Sequence, residues 1–286
     1  MSGNGTETEF VVRFEDVSVK FGDTVALDHV TFQLRPGQTI VVYGEAGSGK
    51  TVLLKTAVGL QRPDSGRVFL FGQDITTMSE RELFDVRARV GILFQEGGLF
   101  DSMTISENVA YPWYNQRVLS EQLASANGGG KSVEDRVEEA LRFVELEGTL
   151  DKVPSELSGG MRRRVGIARA VVTEPPLLLY DSPTAGLDPI TANRIINLLI
   201  KERDQRRTAT IMVTHRYQDG QLMANFRYNS SSGQIERDTD SDPESATRST
   251  RFIVMREGHL VFKGPEDELK VSTDSYVKKF VRPGGA

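Results

Sequence analysis

The sequence predicts an α/β fold built around a phosphate-binding loop, and three observations predict it. Residues 44–51 read Gly44-Glu45-Ala46-Gly47-Ser48-Gly49-Lys50-Thr51, which meets the pattern G-x-x-x-x-G-K-[ST] at every required position. The flanks supply the context the pattern needs. Thr39 to Tyr43 reads as a buried strand, and Thr51 to Leu60 as a helix. Further on, apolar strand-like runs ending in a polar residue recur at Leu177–Asp181 and Ile211–His215, with a helical stretch between them. In such a loop glycines let the backbone curl until successive N–H groups face phosphate oxygens, and the helix N-terminus adds a favourable dipole. Lys50 then reaches the β- and γ-phosphates, and the Thr51 hydroxyl holds Mg²⁺.

Composition bounds what the chain does. Its 286 residues suit one large domain or a core with a subdomain. A 38% hydrophobic and 26% charged make-up is ordinary for a globular protein. The net charge of −5 gives no global basis for nucleic-acid binding. With no cysteine, disulfides and thiolate metal sites are excluded, which suits a reducing compartment. Residues 1–9 read as a disordered leader, polar and acidic, without the basic and apolar regions of a signal peptide. No apolar run approaches the length of a membrane span, so work at a membrane requires a partner.

Taken in order, Val11–Val19 and His29–Leu34 alternate apolar residues and read as strands. Phe21, just beyond the first, is placed either to stack on an adenine ring or to half-bury at a strand end. Arg35-Pro36-Gly37 turns the chain into the central strand, and Arg62 to Gly66 is a second turn before the strand Val68–Gly72. Ser79–Arg89 is a predicted helix, with Ser79 as cap and Glu82 three residues on. Val90–Phe94 is a short strand that ends at Gln95. Ser106–Arg117 reads as a helix broken by Pro112, and Asn127 to Ser132 as a flexible connector. From Val133 to Leu146, apolar residues at helical spacing oppose an acidic face.

Two further motifs bear on chemistry. Leu157-Ser158-Gly159-Gly160-Met161 opens a helical run, so its N–H groups form a second anion-binding terminus. Asp181 closes an apolar strand, where phosphate-loop enzymes place an aspartate that helps hold Mg²⁺. His215, at the end of the next such strand, is positioned to contact a γ-phosphate or to sit on the surface.

Together these elements resemble the ATP-binding cassette family over nearly the whole chain. The phosphate loop at 44–51, Gln95, the signature 157–161, the strand 177–181, Ala185-Gly186-Leu187-Asp188 and His215 match its ordered motifs. The resemblance implies a phosphate-loop NTPase with a RecA-like core, a β-rich N-terminal flank and an inserted helical subdomain spanning about 96–160. This nucleotide-binding domain would span 10–282, with a C-terminal tail at about 265–286. It implies a head-to-tail dimer of two copies with ATP at the interface. Lys50, Thr51, Gln95 and Asp181 of one copy would hold each MgATP against Ser158, Gly159 and Gly160 of the other. Thr51, Gln95 and Asp181 would hold the Mg²⁺, and Phe21 becomes the adenine-stacking aromatic. More narrowly, residues 13–18, 78–112, 154–161 and 274–281 look like the ATPase subunit of Mla-type lipid transporters. That implies a membrane permease and an MCE-domain protein as partners, and a place at the cytoplasmic face of the bacterial inner membrane.

The sequence departs from the family pattern twice. The family usually has glutamate directly after the strand aspartate, as general base or water-orienting group; here Ser182 stands there. A serine hydroxyl without its own base cannot take a proton usefully, so slow hydrolysis is expected, unless another acid such as Glu96 or a different ATPase subunit compensates. A nucleotide-gated switch without significant hydrolysis and a non-transport cassette ATPase are the competing readings. The second departure is the polar, acidic stretch 225–251, which reads as a flexible insertion.

Overall fold

The computed structural model describes residues 10–95, 97–116, 131–238 and 249–281. Two sheets carry it. Strands β1 (Val12–Phe21), β2 (Thr24–Leu34), β4 (Ser65–Leu70) and β5 (Gln73–Asp74) form an antiparallel sheet in the order β2-β1-β4-β5. The larger sheet has the order β12-β11-β3-β8-β7-β6, from β3 (Thr39–Gly44), β6 (Val90–Leu93), β7 (Leu177–Asp181), β8 (Ala209–Val213), β11 (Thr250–Arg256) and β12 (His259–Gly264). All its neighbours pair in parallel except β12, which returns antiparallel on β11.

The period of two in a strand divides the buried residues into two cores. Ile40 and Val42, Leu177 and Leu179, and Ile211 and Val213 face the N-terminal sheet and helices α1 (Lys50–Ala57) and α2 (Glu80–Arg87). Val41 and Tyr43, Leu178 and Tyr180, and Met212 face the other way. There they meet α3 (Ile105–Asn115), α4 (Val133–Phe143), α5 (Gly159–Val171) and α6 (Pro189–Arg206). A parallel sheet covered on both faces needs such unbroken apolar strands. Helices α7 (Tyr217–Asn225), α8 (Glu266–Lys270) and α9 (Ser275–Lys279) complete the chain.

The predicted cap at Ser79 is present as a full capping box: its hydroxyl accepts the Glu82 N–H, and the Glu82 carboxylate accepts the Ser79 N–H at 2.8 Å. Two expectations need correction. Pro112 does not break the third helix, which continues to Asn115. Losing one helical bond at proline costs about 3 kcal/mol. Trp113 is buried beyond it, with the Arg136 guanidinium 4.7 Å over its ring, and this packing offsets the loss.

The stretch 225–251 is not simply a flexible insertion. It contains a hairpin of β9 (Phe226–Asn229) and β10 (Gln234–Arg237), followed by the start of β11. The hairpin is fastened from α6. Buried Arg203 donates to the Phe226 carbonyl and, through a second nitrogen, to that of Met223; Asp204 accepts the Tyr228 N–H at 2.7 Å. Residues 239–248 lie outside the described residues, as do the leader 1–9 and residues 127–130 of the expected connector.

One buried group sets a pH dependence. Glu202 on α6 is 1% exposed, and Arg206 approaches at 3.4 Å without hydrogen-bond alignment to either carboxylate oxygen. Burial raises its pKa to about 7, against the Arg206 charge and with a smaller push from Glu174. Its charge in turn raises the pKa of the buried Tyr180 hydroxyl, which burial alone already lifts. The folded pKa lies above the ordinary glutamate value of 4.5, so the folded state binds the extra proton and stability falls as pH rises from 4.5 to 7. At 1.36 kcal/mol per unit the penalty above pH 7 is roughly 3 kcal/mol. Glu202→Gln is therefore expected to melt several degrees higher than wild type at pH 8, with the gain shrinking toward pH 5. Thermal melts across that range check it, and a gain that grows on acidification contradicts it.

Candidate functional site

The phosphate loop joins the buried β3 to α1. Two glycines are required by geometry. Gly49 has φ +102°, and a Cβ there would lie 2.2 Å from the Ala26 carbonyl oxygen. A Cβ on Gly44 would lie 2.3 Å from Ser48 Oγ and 2.7 Å from the Met255 carbonyl. Glu45, Ala46 and Gly47 form the exposed crest of the loop, and Ser48 is buried beneath it.

Lys50 Nζ curls into the loop, donating to the Gly44 carbonyl at 2.8 Å, the Glu45 carbonyl at 2.7 Å and Ser48 Oγ at 3.2 Å. Burial lowers its pKa, with Asp181 and Glu45 acting in the opposite direction. An ammonium that has given up water for neutral acceptors gains most from an anion, so the loop fits a polyphosphate.

The Thr51 hydroxyl donates to Asp181 Oδ2 at 2.9 Å, across 130 residues of chain. Asp181, the last residue of β7, is 5% exposed. Hydroxyl and carboxylate oxygens are the hard donors that Mg²⁺ takes when phosphates supply further ligands, so the pair fits that ion. Ser182 Oγ donates to the other carboxylate oxygen, Asp181 Oδ1, at 3.1 Å. Its backbone is left-handed at φ +52°, and its N–H is held by the Val213 carbonyl at 2.8 Å. Among the described residues, the Ser182 hydroxyl is hydrogen-bonded to no base other than the Asp181 carboxylate, which the Thr51 hydroxyl already engages. Glu96, the alternative acid, lies outside them.

The remaining predicted residues stand at the margins. Gln95 is exposed just past β6, and His215 is exposed two residues past β8. Phe21 is 50% exposed at the hairpin tip between β1 and β2. Ser158 caps α5, its Oγ accepting the Met161 N–H at 3.2 Å. Ser158 and Gly159 are exposed, while a Cβ on Gly160 would press within 2.8 Å of Thr191. The structure therefore brings Lys50, Thr51, Asp181 and Ser182 together and leaves Ser158 and Gly159 of the signature exposed at the start of another helix.

Sequence reasoning missed the groups that fasten these loops. Asp219 on α7 is 1% exposed and accepts the hydroxyls of Thr184 and Thr214, the latter at 2.8 Å. Burial raises its pKa, and the two hydroxyl bonds and Arg216 hold it down. It ties the turn after Ser182 to the residue before His215. At the loop crest, Tyr276 and Lys279 of α9 contact Glu45: its N–H donates to the Tyr276 hydroxyl at 3.2 Å, and its carboxylate pairs with Lys279 at 2.9 Å. Polar residues in a polar stretch gave no signal of either contact.

A parallel sheet with a phosphate loop after β3 and a hydroxyl–carboxylate pair at the end of β7 defines a phosphate-loop nucleotide-binding domain. Residues 27–185 match the family model described as ABC transporter, and the chain belongs to that family. It is 32% identical over 269 residues to the intermembrane phospholipid transport system ATP-binding protein MlaF of Haemophilus influenzae, covering 94% of this chain and 97% of that protein. It is 31% identical to the probable ribonucleotide transport ATP-binding protein mkl of Mycobacterium leprae, over 94% of this chain and 68% of the relative. The methionine import ATP-binding protein MetN of Rhizobium johnstonii is 40% identical, over 73% of this chain, and the match spans 55% of that relative's length.

Among solved structures, the dimeric ATP-binding cassette MJ0796 bound to ADP and Pi superposes with a TM-score of 0.68 at 27% identity, over 89% of this chain and 98% of that one. CbiO1 from Clostridium perfringens, part of the ABC transporter complex cbiONQ, gives 0.71 at 25% identity, over 91% and 90%. The chain is the ATP-binding subunit of an ABC transporter.

Proposed function

We propose that the chain powers a bacterial phospholipid transporter, gripping MgATP firmly and hydrolysing it slowly. The observation that carries the substrate class is the extent of the match to MlaF. It runs over 94% of this chain and 97% of that relative, whereas the methionine importer matches over only 73% and 55%. Among the described residues no helix is long and apolar enough to cross a membrane. The reading gives the chain an integral permease and an MCE-domain protein as partners, no nucleic acid, and a position at the cytoplasmic face of the inner membrane.

In this reading Lys50 and the loop N–H groups hold the β- and γ-phosphates, and Thr51 and Asp181, with Gln95, hold Mg²⁺. The metal supplies charge neutralisation at the phosphate oxygens. Phe21 stacks on the adenine. Ser158, Gly159 and Gly160, exposed on α5, close over the nucleotide of a second copy. His215 meets the terminal phosphate, and Ser182, whose hydroxyl is engaged by Asp181, orients water poorly.

Isolating the native complex from membranes tests the substrate and partners. A multi-span permease, an MCE-domain protein and bound phospholipid are expected to co-purify. A complex carrying a solute-binding protein for an amino acid, with no lipid, would contradict the assignment.

A further inference from the structure

We propose that Arg163 is a positioning residue that makes the Gln95 loop and the turn after Ser182 respond to nucleotide as one unit. The inference rests on the reading that Gln95 and Asp181 face bound MgATP. Arg163 lies on α5, five residues past the capping Ser158, and is 8% exposed. One guanidinium nitrogen donates to the Phe94 carbonyl at 3.3 Å and to the Gln95 carbonyl, and the other donates to the Ala185 carbonyl at 3.2 Å.

Phe94 and Gln95 follow β6, and Ala185 follows β7, its parallel neighbour. The guanidinium therefore bridges the C-terminal ends of the two strands that lead to Gln95 and Asp181. A planar fork with five donors can serve three carbonyls on two segments; a single ammonium lacks that geometry.

The surroundings make this contact rigid. Arg169, on the same helix, donates to the Gly98 carbonyl at 2.8 Å and the Gly97 carbonyl at 2.9 Å. Close approach of helix and strand is built in. A Cβ on Gly166 would lie 2.7 Å from Leu93 Cδ1, and one on Gly91 would lie 2.1 Å from the Ala170 carbonyl. On the far side, Thr184 is tied through Asp219 to Thr214, next to His215. Ties thus run from Gln95 through Arg163 to Ala185, and on from Thr184 to the His215 loop. Without Arg163 the only described side-chain hydrogen bonds joining the Gln95 carbonyl to this path are gone, while the groups facing the phosphates stay in place. None of these three bonds involves the phosphate loop or Asp181.

Hydrogen exchange of the full-length chain, with and without saturating MgATP, tests the proposal after a titration has fixed each variant's affinity. In wild type, MgATP is expected to slow exchange by about fivefold or more at both Phe94–Gln95 and Ala185–Leu187. In Arg163→Met, affinity stays within about threefold of wild type, Phe94–Gln95 still slows, and the slowing at Ala185–Leu187 falls below about twofold. Arg163→Lys keeps the charge without the fork and is expected to behave like the methionine variant; it carries the test if Arg163→Met does not fold. Nucleotide-bound variants that protect Ala185–Leu187 as wild type does would overturn the proposal. So would a nucleotide-bound wild type that protects only one segment. A wild type that binds no MgATP in the titration overturns the nucleotide reading itself, and this inference with it.

Discussion

Ser182→Glu is expected to raise the ATP turnover of the assembled transporter by about 10²–10⁴-fold, the usual worth of a positioned general base. Ser182 stands directly after Asp181, and its hydroxyl donates to that carboxylate instead of accepting a proton from water. Its left-handed backbone, φ +52°, is held by an N–H bond to Val213 that does not involve the side chain, so glutamate enters the same main-chain geometry. Starting from an ordinary turnover of about 10 s⁻¹, the missing base is expected to leave wild type on the order of 0.1 to 0.001 s⁻¹. A phosphate-release assay at saturating MgATP compares the two proteins. Equal and fast rates would place the water-orienting group elsewhere in the site.

Lys50→Ala is expected to weaken MgATP binding by about 2–5 kcal/mol, roughly 30- to 4,000-fold, the range for removing one partner of a buried charge pair. The direction of its effect on the empty protein differs. Burial already disfavours the Lys50 ammonium, which has three neutral acceptors and lowered basicity, so the variant without nucleotide is expected to melt no lower than wild type. Wild type gains about 2.7 kcal/mol at 100 times its dissociation constant, and the variant loses most of that gain at the same concentration. Melts with and without MgATP separate the two effects. A variant that unfolds early without nucleotide would make Lys50 a structural residue.

The binding half of the site was legible because its signals are local. The phosphate loop is eight consecutive residues, and the strand before it and helix after it lie within twenty positions. The Thr51–Asp181 contact spans 130 residues, yet each partner carried its own signal, a motif position and a carboxylate ending an apolar strand. The six-stranded order could not be read: β3 lies between β11 and β8, although the chain reaches those strands long after it.

The fastening groups had no local signal. Arg163 stands in a run of three arginines, 162–164, whose residue types alone do not separate a buried guanidinium from exposed ones, and only tertiary packing shows it serving carbonyls from two loops. Asp219 and the hairpin at 226–237 sat in polar wording. Their anchors are Thr184 and Thr214 in one case and Arg203 and Asp204 in the other. Pro112 misled in the opposite direction, because the burial of Trp113 that sustains the helix is a long-range effect.

Whether this subunit holds ATP without splitting it quickly is tested most directly by identifying the nucleotide it retains. The native complex is loaded with radiolabelled MgATP, freed of excess nucleotide within seconds, and quenched at intervals. ATP is expected to persist on the wild-type complex for seconds to minutes, at the ~0.1 to 0.001 s⁻¹ estimated above, while the Ser182→Glu complex converts it to ADP within the first interval. Retained ADP in the wild-type complex at the earliest time, formed as fast as in Ser182→Glu, would contradict a subunit that grips firmly and cleaves slowly.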